Sequence, residues 1–134
     1  MAAKTWRGPL AAITLATTLA GPVCAESVRP MLQAALPDMP GKTFTSATVS
    51  FAPGETATPH RHGRAFVYAY VLEGAVRSQL EGGAAKIYQA GESWSEPPGA
   101  HHLLTQNASA TAPARLLVVF ISNTGEPLKT DDPQ

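Results

Sequence analysis

Residues Pro59 to Gly74 read Pro-His-Arg-His-Gly-Arg-Ala-Phe-Val-Tyr-Ala-Tyr-Val-Leu-Glu-Gly, and the rest of the chain takes its meaning from them. On an extended strand side chains alternate, so His60 and His62 face one way and Arg61 the other. Two imidazoles on one strand face can share a divalent ion, since neutral ring nitrogen suits several transition metals. The remaining histidines of the chain, His101 and His102, stand side by side in a second segment. After the first pair, Ala65 to Leu72 is apolar at nearly every position. That pattern predicts a strand in the middle of a sheet, covered on both faces.

Working outward, short strands alternate with turn chemistry. Ala47, Val49 and Phe51 alternate with Ser46, Thr48 and Ser50, a strand with one buried face. Pro53-Gly54 turns the chain, and Thr56 to His62 is the histidine-bearing strand. Val76, Ser78 and Leu80 form a strand, Glu81-Gly82-Gly83 a hairpin turn, and Ala85, Ile87 and Tyr88 the return. Glu92 to Glu96 is stopped by Pro97-Pro98-Gly99, and His101 to Gln106 follows. Arg115 to Ile121 is a continuous apolar strand of the core. About eight strands with turns near every ten residues predict an all-β barrel or jelly roll.

These residues resemble the cupin superfamily. Gly54, five residues, His60-Arg61-His62 and then Gly74 match its first motif. Gly91, five residues, Pro97-Pro98-Gly99-Ala100 and His101-His102 match its second, in the same order. The resemblance implies a double-stranded β-helix with a metal inside, held by His60, His62 and His102, while His101 faces away. One position departs from the pattern: the first motif's glutamate ligand aligns with Val67, which cannot bind metal. Glu96, just before Pro97, is the candidate replacement carboxylate and catalytic group; at the end of a strand its ordinary role would be a hydrogen bond. A smaller departure puts the second motif's asparagine at Gln106, with Asn107 one place late.

Three neutral imidazoles leave the ion's double charge uncompensated, which favours an anionic ligand and keeps coordination positions open for chemistry. Fe, Mn, Zn and Ni are all compatible with such a donor set. The expected activity is a metal-dependent reaction on a small molecule, oxygenase- or isomerase-like, with Glu96 or a tyrosine moving the proton. The competing reading is a non-catalytic module that binds a small ligand or a metal. Arg61 and Arg64 are expected at the rim or in solvent, and Tyr68, Tyr70 and Trp94 in sheet packing.

The first 25 residues look like a secretory leader. Lys4 and Arg7 precede a small apolar run, and Val23-Cys24-Ala25 fits a cleavage site, so a periplasmic or secreted protein starting at Glu26 is expected. The whole sequence carries ten basic and ten acidic residues; losing Lys4 and Arg7 leaves eight against ten, a net charge of −2. With no basic patch, nucleic acid and, after cleavage, membrane surfaces are excluded as partners. The chain of 134 residues then divides into the leader (1–25), an N-terminal arm (26–43), a barrel (44–123) and a mobile tail (124–134). In the arm, Met31 to Leu36 is a candidate helical turn between prolines, placed across a sheet edge or a neighbouring subunit. A homodimer is expected, because small barrels of this family often cover an apolar sheet face that way.

Overall fold

The structure, a computed structural model, describes residues 26–134, so the leader expectation and Cys24 lie outside the described residues. The described chain holds ten strands and no helix: β1 (Ser27–Ala35), β2 (Lys42–Phe51), β3 (His60–Arg61), β4 (Phe66–Glu73), β5 (Ala75–Leu80), β6 (Lys86–Gln89), β7 (Ser93–Glu96), β8 (His101–Asn107), β9 (Ala114–Asn123) and β10 (Thr130–Asp131). They form two five-stranded antiparallel sheets, ordered β1-β2-β9-β4-β7 and β10-β3-β8-β5-β6. This is the expected all-β double-stranded β-helix. Side chains at alternate positions meet between the sheets: Ala47, Val49 and Phe51 from β2, Val67, Ala69 and Val71 from β4, and Leu116, Val118 and Phe120 from β9. Val76 joins them from β5 and Trp94 from β7. Each alternation buries one row of apolar side chains and leaves the other outside.

Both chain ends depart from the expected partition. The arm contains no helical turn: Ser27–Ala35 pairs along β2 as an edge strand. The register shifts between Pro30 and Leu32, so Met31 is an extra residue in the ladder. Proline has no amide hydrogen to give a ladder, and an edge strand with a bulge is where a sheet tolerates it. The tail, expected to be mobile, is paired as well. Thr130 stands opposite Arg61 and Asp131 opposite His60, while the Asp132 amide donates to the Pro59 carbonyl at 2.9 Å. Without β10 the outer backbone groups of β3 would have no ladder partner. The barrel therefore extends past residues 44–123 at both ends.

Two strand readings are also corrected. Only His60–Arg61 of the Thr56 to His62 segment is strand, with Thr56 making a single bridge to Gln106. β4 is buried on one face only, because Phe66, Tyr68 and Leu72 are exposed on the other. A continuous apolar run reads the same whether its outer face is covered or bare.

Local chemistry fixes the ends of the two histidine segments. Gly74 closes β4 with φ of 74°, and a Cβ there would stand 2.6 Å from the Pro113 carbonyl oxygen. Glycine is therefore required both for conformation and for space. On β8 the ladder to β5 shifts between Gln79 and Leu80, which pair with Leu104 and His102. Leu103 is the extra residue, and it reverses the alternation that follows. His102, Thr105 and Asn107 are consequently the buried members of the strand. The bulge explains why the asparagine comes one place late. Its side-chain amide donates to the carbonyls of Ala52 at 3.0 Å and Ala112 at 2.8 Å, tying two loops together.

Candidate metal centre

The pairing of β3 with β8 brings the two histidine segments together. His60 stands directly opposite His102, and on the other face Arg61 stands opposite His101. His62 follows β3 and turns inward beside Phe120, with ring centroids 5.2 Å apart. The His60 ring centroid lies 4.7 Å from that of His62 and 5.1 Å from that of His102. One nitrogen from each of His60, His62 and His102 falls within 4.8 Å of the others, and such a cluster can hold a metal ion. His60 and His102 are buried and His62 is nearly so.

Backbone acceptors orient two of the rings. The Nδ1–H of His60 donates to the Thr58 carbonyl at 2.7 Å, and that of His62 to the Leu128 carbonyl at 2.5 Å. Those bonds place the proton on Nδ1 and leave Nε2 with a free lone pair, which is how a protein prepares an imidazole for a metal. Burial pushes the His60 pKa down to about 4, against the effect of its bond to Thr58. Burial also lowers that of His62, so both rings are neutral donors at neutral pH. His102 is held differently. Its Nε2 is hydrogen-bonded to the Ser78 hydroxyl at 2.8 Å and to Thr105 at 3.0 Å, and its Nδ1 lies 3.1 Å from Glu96 Oε1. To ligate an ion, His102 has to exchange one of these contacts.

Glu96 points into the barrel and is 2 % exposed. Across the β4–β7 ladder it stands directly opposite Val67, the position where the first motif lacks its acid. A buried acid thus stands on the neighbouring strand, facing that position. Trp94 donates its indole N–H to Oε1 at 3.0 Å. Oε2 has no hydrogen-bond partner and lies 3.7 Å from His62 Nε2. Burial alone would raise the Glu96 pKa, but contact with His102, with support from His62 and Trp94, holds it below the ordinary carboxylate value. A buried, charged oxygen without a partner is costly. A divalent cation held by the three imidazoles nearby would compensate its charge. The donor set thus fits the ion that the sequence implies.

The other expected roles sort by strand face. His101 faces away from the cluster, its Nε2 2.7 Å from Asp132 Oδ2. Arg61 is exposed and donates to the Gly99 carbonyl at 3.0 Å, and Arg64 is exposed too. None of Tyr68, Tyr70 and Tyr88 lines the cavity, whereas Glu96 does, beside His62 and His102. The cavity has a volume of about 130 Å³. Between the histidines its walls are apolar, including Val49, Phe51, Leu116 and Phe120. Three contributors gave no signal in the sequence: Ser78 and Thr105 against His102, and the Leu128–Lys129 segment over the cavity. Small hydroxyl residues and backbone carbonyls have no spacing rule that marks them in advance.

A family model described as Cupin domain matches residues 47–120. Comparison with curated proteins found no match. Among solved structures, an oxalate oxidase in complex with the substrate analogue glycolate is similar at 26% identity and a TM-score of 0.60, over 87% of this chain and 62% of that one. A DMSP lyase, DddQ from Ruegeria pomeroyi, is 20% identical with a TM-score of 0.56, over 63% of this chain and 41% of that one. A Klebsiella pneumoniae protein with a double-stranded β-helix domain is 14% identical with a TM-score of 0.62, over 82% and 86% of the two chains. The last two likenesses are of fold alone. This chain spans about three fifths of the oxidase and two fifths of the lyase.

Proposed function

The chain belongs to the cupin domain family, and on that premise we propose that it is an exported barrel that binds one divalent ion through His60, His62 and His102 and transforms a small molecule beside it. The observation that carries this reading is the unpartnered, buried Oε2 of Glu96 among three imidazoles. When bound, the ion would supply Lewis acidity and a docking point for substrate oxygen, in an oxygenase- or isomerase-like reaction. The chain's own residues do the rest. Thr58 and Leu128 fix the tautomers of His60 and His62, and Trp94 steadies one oxygen of Glu96. The other oxygen is free to take or return a proton. The apolar walls keep bulk water from the reacting groups. Fe, Mn, Zn and Ni remain the candidate ions.

A non-catalytic binding module is the second reading, and an outward Glu96 would have favoured it. An inward, unpaired carboxylate supports turnover instead. Glu96→Gln tests this directly, being nearly isosteric but unable to accept a proton at the same pH. Turnover in a screen of small oxygen-bearing substrates is expected to fall about 100-fold or more, with metal content per chain reduced far less. Unchanged turnover in the variant would remove Glu96 from the chemistry.

Export and dimerisation belong to the same proposal. β1 exposes its full length at the sheet edge, including Val28, Met31 and Leu32, and the outer face of β4 exposes Phe66, Tyr68 and Leu72. An apolar edge and face of this kind favour a second copy as cover. Protein recovered from the periplasm or medium is expected to begin at Glu26 and to sediment as a dimer. A retained leader would contradict export, and a monomer at high concentration would contradict the pairing.

A further inference from the structure

Among the described residues that line the cavity, Lys129 is the only lysine or arginine. It lies one residue after Leu128, whose carbonyl holds His62. Its side chain is 29% exposed and that of Glu26, also a lining residue, 16%; both stand at the rim, above histidines that are more deeply buried. The Lys129 ammonium is paired with the Glu26 carboxylate and lies 3.1 Å from Asp131 Oδ1. Burial would lower the lysine's pKa, but these two carboxylates raise it, so the group is firmly charged. Its charge also reaches the metal cluster, where it helps to lower the pKa of both His60 and His62.

The two carboxylates are placed differently. Asp131 is half exposed on β10 and does not line the cavity, whereas Glu26 does. Glu26 therefore stands where a carboxylate inside the cavity would meet the ammonium, as an internal stand-in for one. The rest of the cavity limits what can follow. The walls between rim and imidazoles are mostly apolar and offer few hydrogen bonds. Sugars and larger polyols would lose their hydroxyl partners there. A short acid would lose little, with its charge at the rim and an oxygen at the imidazoles.

We propose that Lys129 is a substrate-binding residue that selects small carboxylic acids over their neutral analogues, the incoming carboxylate replacing that of Glu26. This rests on the metal-centre reading above and specifies its substrate class. The replacement is an exchange of ion pairs at the rim, with no bond made or broken. It also explains how an otherwise apolar cavity can admit an anion: the cation is already in place and already desolvated in part.

The test uses the full-length protein loaded with Zn²⁺, with zinc content measured alongside calorimetric titration of glycolate and of its neutral amide, glycolamide. Wild type is expected to prefer glycolate. Lys129→Met should weaken glycolate about tenfold or more while leaving glycolamide nearly unchanged, and Lys129→Arg should keep the preference. Glu26→Gln should tighten glycolate several-fold, because the internal competitor is gone. Should Lys129→Met fail to fold, the Arg and Gln variants still decide the matter. Equal affinity of wild type for acid and amide, or no gain in Glu26→Gln, would overturn the assignment of Lys129. If zinc is absent from wild type as well, it is the metal-centre reading that fails. Normal zinc with no carboxylate preference sinks only the rim proposal.

Discussion

His62→Ala is expected to abolish stoichiometric metal binding, lowering affinity by about 100-fold or more, whereas wild type carries about one ion per chain. Removing a residue that only orients a ligand already costs roughly 10- to 100-fold, so losing a ligand itself lies at or beyond the upper end. His62 is the more informative target because it lies outside the β3–β8 ladder and is less buried than His60 and His102. The substitution leaves the ladder between β3 and β8 intact, since that involves His60 and Arg61. The pH dependence follows from the same burial. With its pKa lowered from 6.5 to about 4, His60 remains unprotonated in mildly acid solution, where an exposed histidine would have released its metal. In the metal-free protein the sign is unfavourable. As pH falls from 6.5 toward 4, the unfolded chain takes up a proton that the buried ring refuses, and stability declines. Elemental analysis of wild type and variant checks the first claim, and equal trace metal in the two would reject it.

Ending the chain at Gly125 is expected to weaken metal binding about 10- to 100-fold while the two sheets persist. The deleted residues include the Leu128 carbonyl that fixes His62 and the β10 partners of His60 and Arg61. They also include Asp132, 2.7 Å from His101, and Glu126, whose carboxylate accepts from the Arg64 amide at 2.7 Å. Every one of these contacts falls on the first histidine segment or on its neighbour across the ladder. The remaining nine strands contain nearly all of the buried apolar residues, so circular dichroism should keep its strand signature. A truncated chain that binds metal as tightly as the full one would show the tail to be a passive appendage.

The contrast between the histidines and the tail shows what a sequence discloses. Two histidines spaced by one residue report strand alternation directly, and a second pair before a strand invites the ladder that places His60 opposite His102. That part of the centre was legible because strand geometry has a fixed period. Leu128 contributes a carbonyl, which every residue possesses, so nothing in its identity marks it. Lys129 sits in a polar stretch that has the composition of a loose end, yet it lines the cavity, paired with Glu26 and close to Asp131. The bulge at Leu103 likewise escapes notice, since an extra residue leaves no compositional trace, yet it decides that Asn107 and not Gln106 turns inward. The first strand was concealed by Pro30, which argues against a helix interior as well as a central strand but is compatible with an edge.

Val67 and Glu96 face each other across one rung of the β4–β7 ladder. Neighbouring strands are less than 5 Å apart, so two positions that are far apart in the polypeptide can offer a side chain to nearly the same place in space. Acids in such barrels are therefore better compared by which side chains share a rung than by which share a column. A barrel with a valine where an acid is expected can still hold a buried acid next door.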